Sequence, residues 1–351
     1  MPDDTPSSPS RSPAAGPRSR LKGWVQNLAL MVGTFTLCCL VLEASLRIAG
    51  YGNLEIYQAD PQVLWKLKPD QDCYTKVDRK PVHVNSHGTR GPEFQTAKPP
   101  NTIRILSLGD SKTFGWGLTE AESYSGLTEK LLQQHLGNRK NVEVINAGVN
   151  AWSYAQMHTW FRVYGLNYQP DLVVLGDANL WTQFSDENSP EFVKAFMRRV
   201  WLKNLLRRFA TYHYIVEYKL SQVYATTRAR FIPVDPNRDT LFKEEQAKDP
   251  DAFFRKHIAG LCSLALSNRI RPVLLHMPTT RQLQTPDSNN VINAKLLVSR
   301  QLGVPLIDMT ADLKPQGTNL FLPADEVHLN VPGNQLVAQR LFATLTNLLT
   351  P

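Results

Sequence analysis

The sequence predicts a three-layer α/β fold, a doubly wound and mainly parallel sheet, preceded by an N-terminal transmembrane helix. Five short runs rich in β-branched residues and leucine, at 103–108, 142–147, 171–175, 271–276 and 304–307, are bounded by turn residues. That is how strands buried on both faces read. Helical patterns occupy the intervals, at 123–136, 154–163, 252–266, 290–301 and 335–349, and strand–helix alternation of this kind builds parallel sheets. The residues of chemical interest follow the first three strands directly, on the edge where open α/β sheets carry their sites.

Taken in order, residues 1–23 are rich in Pro, Ser and Arg and are expected to form a disordered cytoplasmic tail. Residues 24–46 are the expected anchor. At about 1.5 Å per residue its most apolar part, 24–42, spans about 28 Å, close to the roughly 30 Å of a bilayer core. Arg11, Arg18, Arg20 and Lys22 precede it, so the positive-inside rule keeps the amino terminus in the cytoplasm and sends the rest to the periplasmic side of the inner membrane. A cleaved signal peptide ending near Ala44 is the rival, but the long polar leader and the lack of an A-x-A site favour an uncleaved, single-pass anchor. Cys38 and Cys39 read as apolar filler, because Leu37 stands where a lipoprotein site has a small residue.

Residues 47–101 carry Pro61, Pro69, Pro81, Pro92, Pro99 and Pro100 among short apolar pieces. They are expected to wrap the following domain as hairpins and loops, as a wall of the substrate cleft or as a spacer. That domain, 102–351, has no internal linker and is read as one core with a helical insertion around 191–251. In the insertion Arg199, Lys203 and Arg207 recur every four residues, and Phe196, Val200, Trp201, Leu205 and Phe209 supply apolar surface. The expected arrangement has the apolar side covering the domain and the charges solvated; the other is a basic amphipathic helix against lipid or an acidic polymer. Whether Cys73 and Cys262 meet as a disulfide is open from spacing alone.

The chemistry lies in Leu108-Gly109-Asp110-Ser111-Lys112-Thr113 and Asp325-Glu326-Val327-His328-Leu329-Asn330. Ester cleavage by a serine needs an imidazole to take the hydroxyl proton and a carboxylate to orient that imidazole. Ser111, His328 and Asp325 supply these as catalytic residues, and Asp-x-x-His delivers two of them from one loop. Competing chemistries lack their motifs: there is no G-x-S-x-G, P-loop, H-E-x-x-H or C-x-x-C. No cofactor or metal is called for. A net charge of +8 comes without a basic run interleaved with aromatics, so nucleic acid is not an expected partner. His276 ends a strand near the site edge, where it could line the pocket, and is read first as a packed or solvated histidine.

These motifs resemble the SGNH, or GDSL-type, hydrolase superfamily. The run Val84-Asn85-Ser86-His87-Gly88-Thr89-Arg90-Gly91-Pro92-Glu93 ahead of Arg104-Ile105-Leu106-Ser107 is similar to a membrane-anchored bacterial branch of it. The resemblance implies a flavodoxin-like sheet and an oxyanion hole built from the backbone N–H groups of Ser111 and Gly148 and the side-chain amide of Asn179. Lys112 replaces the leucine of Gly-Asp-Ser-Leu, Ala151 the second glycine of the Gly148 block, and Leu180 the aspartate expected after Asn179. Asp177, an acceptor while ionised, is expected to matter only mildly.

By analogy with that branch the expected function is a membrane-anchored esterase working through an acyl-serine. Its substrate would be a short acyl, for instance acetyl, ester of an envelope or secreted polysaccharide. The alternatives are an O-acyltransferase to polysaccharide with the same triad, and a non-catalytic glycan-binding or assembly protein. The expected partners are the ester substrate and, through the N-terminal helix, the membrane.

Overall fold

The structure, a computed structural model, describes residues 17–76, 78–178, 190–220, 223, 250–285 and 290–349. It divides into two compact units, Met1–Gly50 and Tyr51–Pro351.

In the first unit one helix runs Pro17–Ile48. Its part Lys22–Ile48 is long and apolar enough to cross a membrane, and its large side chains, Trp24 and Phe35 among them, are exposed. Of the stretch 1–23 expected as a tail, 17–23 belong to this helix and 1–16 lie outside the described residues. Proline is accepted in a first turn, where its missing N–H would have no intrahelical partner.

The second unit opens with two antiparallel hairpins, β1 (Tyr57–Asp60) with β2 (Leu64–Leu67) and β3 (Gln71–Tyr74) with β4 (Pro81–Val84). Five parallel strands follow: β5 (Thr102–Gly109), β6 (Asn141–Gly148), β7 (Leu172–Leu175), β8 (Arg271–His276) and β9 (Leu306–Asp308), in the order β6-β5-β7-β8-β9. The order reverses at β5, and the crevice beyond the carboxyl ends of the strands at such a reversal is where open sheets bind ligands.

Side chains alternate between the faces. Leu106, Leu108, Val173 and Leu175 join one core with the helices Tyr154–Val163, Pro250–Ser267 and Asn290–Leu302, while Ile105, Leu172 and Val174 join a second with Tyr124–Leu136 and Val331–Leu349. A period of two along strands buried on both sides gives the three layers. Trp65, Leu67, Val82 and Val84 of the hairpins belong to the first core, and Arg90 bridges Val84 to Asn146 of β6. Segment 51–101 thus lends hairpin side chains to the first core and reaches β6 through Arg90.

The insertion differs from expectation. Its helix, Pro190–Leu206, turns Asn204 inward onto the Tyr57 backbone, and Arg207 beyond it is buried against Glu55. Trp201, Leu202 and Leu205 are exposed. Polar groups dock the carboxyl end of the helix while these apolar side chains face outward; the Phe196 side chain lies outside the described residues, and Arg207 does not share an exposed face with Arg199.

Candidate active site

Ser111 opens the four-residue helix Ser111–Phe114 directly after β5. Asp110 caps that helix, its carboxylate accepting the Lys112 N–H at 2.9 Å, and its own N–H donates to Asp177 O at 3.0 Å. Burial pushes the Asp110 carboxyl above its ordinary range even though Lys112 opposes the shift. The turn presses onto the sheet so closely that a Cβ on Gly109 would stand 1.8 Å from Thr113 Oγ1, and one on Gly148 would stand 2.2 Å from the Phe114 nitrogen.

Arg90 holds the far side of the turn. Its fully buried guanidinium donates to Phe114 O at 2.5 Å and Gly115 O at 2.8 Å, also to Leu118 O, and pairs with Glu120 at 3.1 Å. One residue of the first hairpin segment thus gathers three carbonyls of the loop that follows Ser111. The fork geometry of guanidinium suits this, where a lysine would offer one point charge.

His328 reaches Ser111 from the loop before the last helix. Its Nε2 is 2.7 Å from Ser111 Oγ and its Nδ1 is 2.7 Å from Asp325 Oδ2. With Nδ1–H donating to the carboxylate, Nε2 is left to accept the serine proton; the tautomer follows from these partners. The other carboxylate oxygen accepts the N–H groups of Val327 at 2.7 Å and His328 at 3.0 Å. Burial alone would raise the Asp325 pKa, but its hydrogen bonds with His328 and Val327 outweigh that and hold the carboxyl below its usual range. Asn330 fixes the loop by donating to Asn319 O and Phe321 O. The Trp116 ring lies 5.6 Å from the imidazole at 25°, nearly parallel. A cavity of about 10 Å³ beside the imidazole is lined by Lys112, Trp116, Leu118, Met277 and Leu329, among others.

Of the predicted oxyanion donors, Ser111 heads its helix with its N–H at the site. Gly148 is placed otherwise: its N–H donates to Asn146 Oδ1 at 3.1 Å. The requirement for glycine there is steric, since the Phe114 backbone covers the Cα. Asn179 lies outside the described residues.

Asp177 is the residue that sequence reasoning undervalued. Its buried carboxylate accepts from Lys295 Nζ at 2.7 Å, Lys112 Nζ at 3.1 Å and the Met277 N–H at 2.8 Å, and meets His276 Nδ1 at 3.1 Å. Lys295 is fully buried, and its ammonium also donates to Gly176 O at 3.1 Å and Leu275 O at 2.5 Å. This cluster joins the ends of β7 and β8 to the serine turn. His276 is a packed histidine, as expected, and Lys112 has a partner that its motif position does not announce. No periodicity marks Lys295, which interrupts a helical apolar face as any solvated lysine would. Cys73 and Cys262 are buried free thiols, each pushed up to about 12 by burial.

The sequence profile described as the GDSL-like Lipase/Acylhydrolase family matches residues 107–336. No curated protein matches the chain. Among solved structures, a lipase/acylhydrolase from Enterococcus faecalis aligns at 16% identity and a TM-score of 0.43, covering 71% of this chain and 98% of the other. An acetyl xylan esterase aligns at 17% identity and a TM-score of 0.43, covering 69% and 100%. A two-domain esterase active on acetylated mannans aligns at 13% identity and a TM-score of 0.44, covering 71% and 50%.

Proposed function

From the premise that this chain belongs to the GDSL-like lipase/acylhydrolase family and hydrolyses ester bonds, we propose that Ser111 is its nucleophile, His328 its general base and Asp325 the carboxylate that orients the base. The observation carrying this is the unbroken Ser111–His328–Asp325 relay, with both contacts at 2.7 Å. His328 takes the serine proton as Oγ attacks the ester carbonyl, and Asp325 stabilises the resulting imidazolium. The oxyanion is met by the Ser111 N–H and by Asn179; Gly148 adds its N–H where it exchanges Asn146 for the oxyanion. Collapse of the tetrahedral intermediate expels the alcohol, which takes its proton from His328, and leaves an acyl-serine. Water activated by the same imidazole then releases the acid.

The substrate is a short acyl ester, acetyl foremost, on an envelope or secreted glycan. The glycan comes from the resemblance to the membrane-anchored branch. The helix within Lys22–Ile48 is read as an uncleaved anchor with the catalytic unit outside the cytoplasm, supported by its length and the bases at Arg18, Arg20 and Lys22.

Hydrolysis of p-nitrophenyl acetate and longer acyl esters tests this, with Ser111→Ala and His328→Ala expected to lose on the order of 10⁶ in kcat. Fluorophosphonate should label Ser111 alone. Undiminished turnover in Ser111→Ala would remove the assignment. Assays on an acetylated oligosaccharide, with and without a free glycan acceptor, separate acetate release from transfer. Asn179→Ala should lower kcat by about 10²–10³ with little change in KM, as loss of a donor to developing charge does.

A further inference from the structure

We propose that the outward face of the insertion is a second membrane contact, which lays the catalytic unit on an anionic lipid surface next to the point where the chain leaves its span. The proposal rests on the anchored reading above.

The insertion helix is amphipathic in the reverse sense. Asn204 and Arg207 face the domain, hydrogen-bonded to the backbone of Tyr57 and to Glu55. Trp201 is 66% exposed and Leu202 50%, and Leu205, Phe209, Ile215, Val216 and Leu220 are exposed as well. A helix docked by its polar residues gains nothing in water from a face of tryptophan and leucine, so that face fits an apolar environment outside the domain.

The charges around it select the environment. Arg198, Arg199, Arg208 and Lys219 are exposed. Between Arg198 and Leu220 the sequence has one acid, Glu217, and it is buried against Lys76 at 2.7 Å. Tryptophan, leucine and phenylalanine set among bases, with no exposed acid among the described residues between Arg198 and Leu220, is the composition of a segment lying in an anionic lipid interface. A second copy of the chain fits poorly, because a self-paired face would bring these cations together.

Position supplies the second argument. Tyr51 follows the end of the helix at Ile48 by three positions, and three residues reach at most about 10 Å. The Tyr51 ring packs on His213 at 5.3 Å and Tyr214 at 4.9 Å, and the Gly52 N–H donates to His213 Nδ1 at 2.9 Å. The Arg79 guanidinium lies 4.7 Å over Tyr51. The insertion is thereby fastened to the first residues that follow the apolar helix in the chain, and an interfacial helix enters the headgroup layer by about 5–10 Å.

The test uses the full chain in vesicles of phosphatidylglycerol and phosphatidylethanolamine, with a protease recognition sequence inserted between Gly50 and Tyr51. After cutting, the catalytic unit should float with the vesicles at low salt. Trp201→Glu, Leu205→Glu and Phe209→Glu combined should raise the released fraction at least tenfold while p-nitrophenyl acetate turnover of the released unit stays at the wild-type rate. High salt should increase release of the wild-type unit. Prompt release of the cut wild-type unit at low salt, equal retention of the variant, or release as a dimer that the variant abolishes would each overturn the proposal. Alkaline carbonate stripping of the uncut chain is read separately and would overturn the anchored reading instead.

Discussion

Asp325 and His328 meet at 2.7 Å with side chains 22% and 17% exposed, whereas Asp177 and His276 meet at 3.1 Å with side chains 5% and 2% exposed. Both pairs lie at the carboxyl edge of the same sheet and use the same two functional groups. Their neighbours set them apart. Asp325 accepts backbone N–H groups and one imidazole, so its charge remains directed at the ring that reaches Ser111. Asp177 is surrounded by Lys112 and Lys295 as well as His276. With two ammonium groups to compensate, it has little left for a developing imidazolium. A carboxylate–histidine pair at a strand end is therefore a poor guide by itself, and its role follows from solvent access and competing cations.

That contrast can be broken experimentally. Asp325→Asn should lower kcat by about 10⁴, with the urea midpoint nearly unmoved because the loop around it is half-exposed. Asp177→Asn should do the reverse. It leaves the buried Lys295 without its counter-charge, and loss of one partner of a buried ion pair costs about 3–5 kcal/mol, read as a lower urea midpoint. The mild effect expected from the sequence does not fit this geometry. If Asp177→Asn lost turnover with its unfolding midpoint intact, the two pairs would not differ as argued.

Gly148→Ala sharpens the same division between chemistry and support. Its methyl would meet the Phe114 nitrogen at 2.2 Å, so stability should fall by about 1–3 kcal/mol, the usual range for overpacking. A normal midpoint with reduced kcat would return Gly148 to a purely electrostatic role. The smallest effect concerns acid. Burial opposes ionisation of Asp177, yet Lys112, Lys295 and His276 outweigh it and hold the carboxyl well below its ordinary range. Its folded pKa is then lower than its unfolded value of about 3.9, so its stabilisation is complete above that pH and is lost as pH falls through the folded pKa. Urea unfolding between about pH 4 and 2 should show a shallower pH dependence in Asp177→Asn.

Much of the fold was legible because it depends on local pattern. All five parallel strands lie where the apolar runs stood, and the two site motifs fall beside strand and helix ends that fix their place. Arg90 was visible as part of a motif but not as a clamp, since nothing in a sequence says which carbonyls a buried guanidinium will gather. Lys295 gave no signal, because a lysine at a helical position reads as solvated until its counter-charge is found more than a hundred residues away. The insertion misled for a related reason: amphipathic spacing names the apolar face but not the direction in which the helix is turned.

Spacing and residue type within short windows are enough for the strand and helix alternation, the apolar N-terminal helix and the candidates Ser111, Asp325 and His328. That Ser111 and His328 meet at 2.7 Å, that Gly148 yields space to Phe114, that Asp177 neutralises two lysines and that Trp201 and Leu202 stand exposed are matters of tertiary packing. These depend on which groups distant in the chain are desolvated together, and the energy of a charge or an apolar surface is set by that environment and not by its neighbours in sequence.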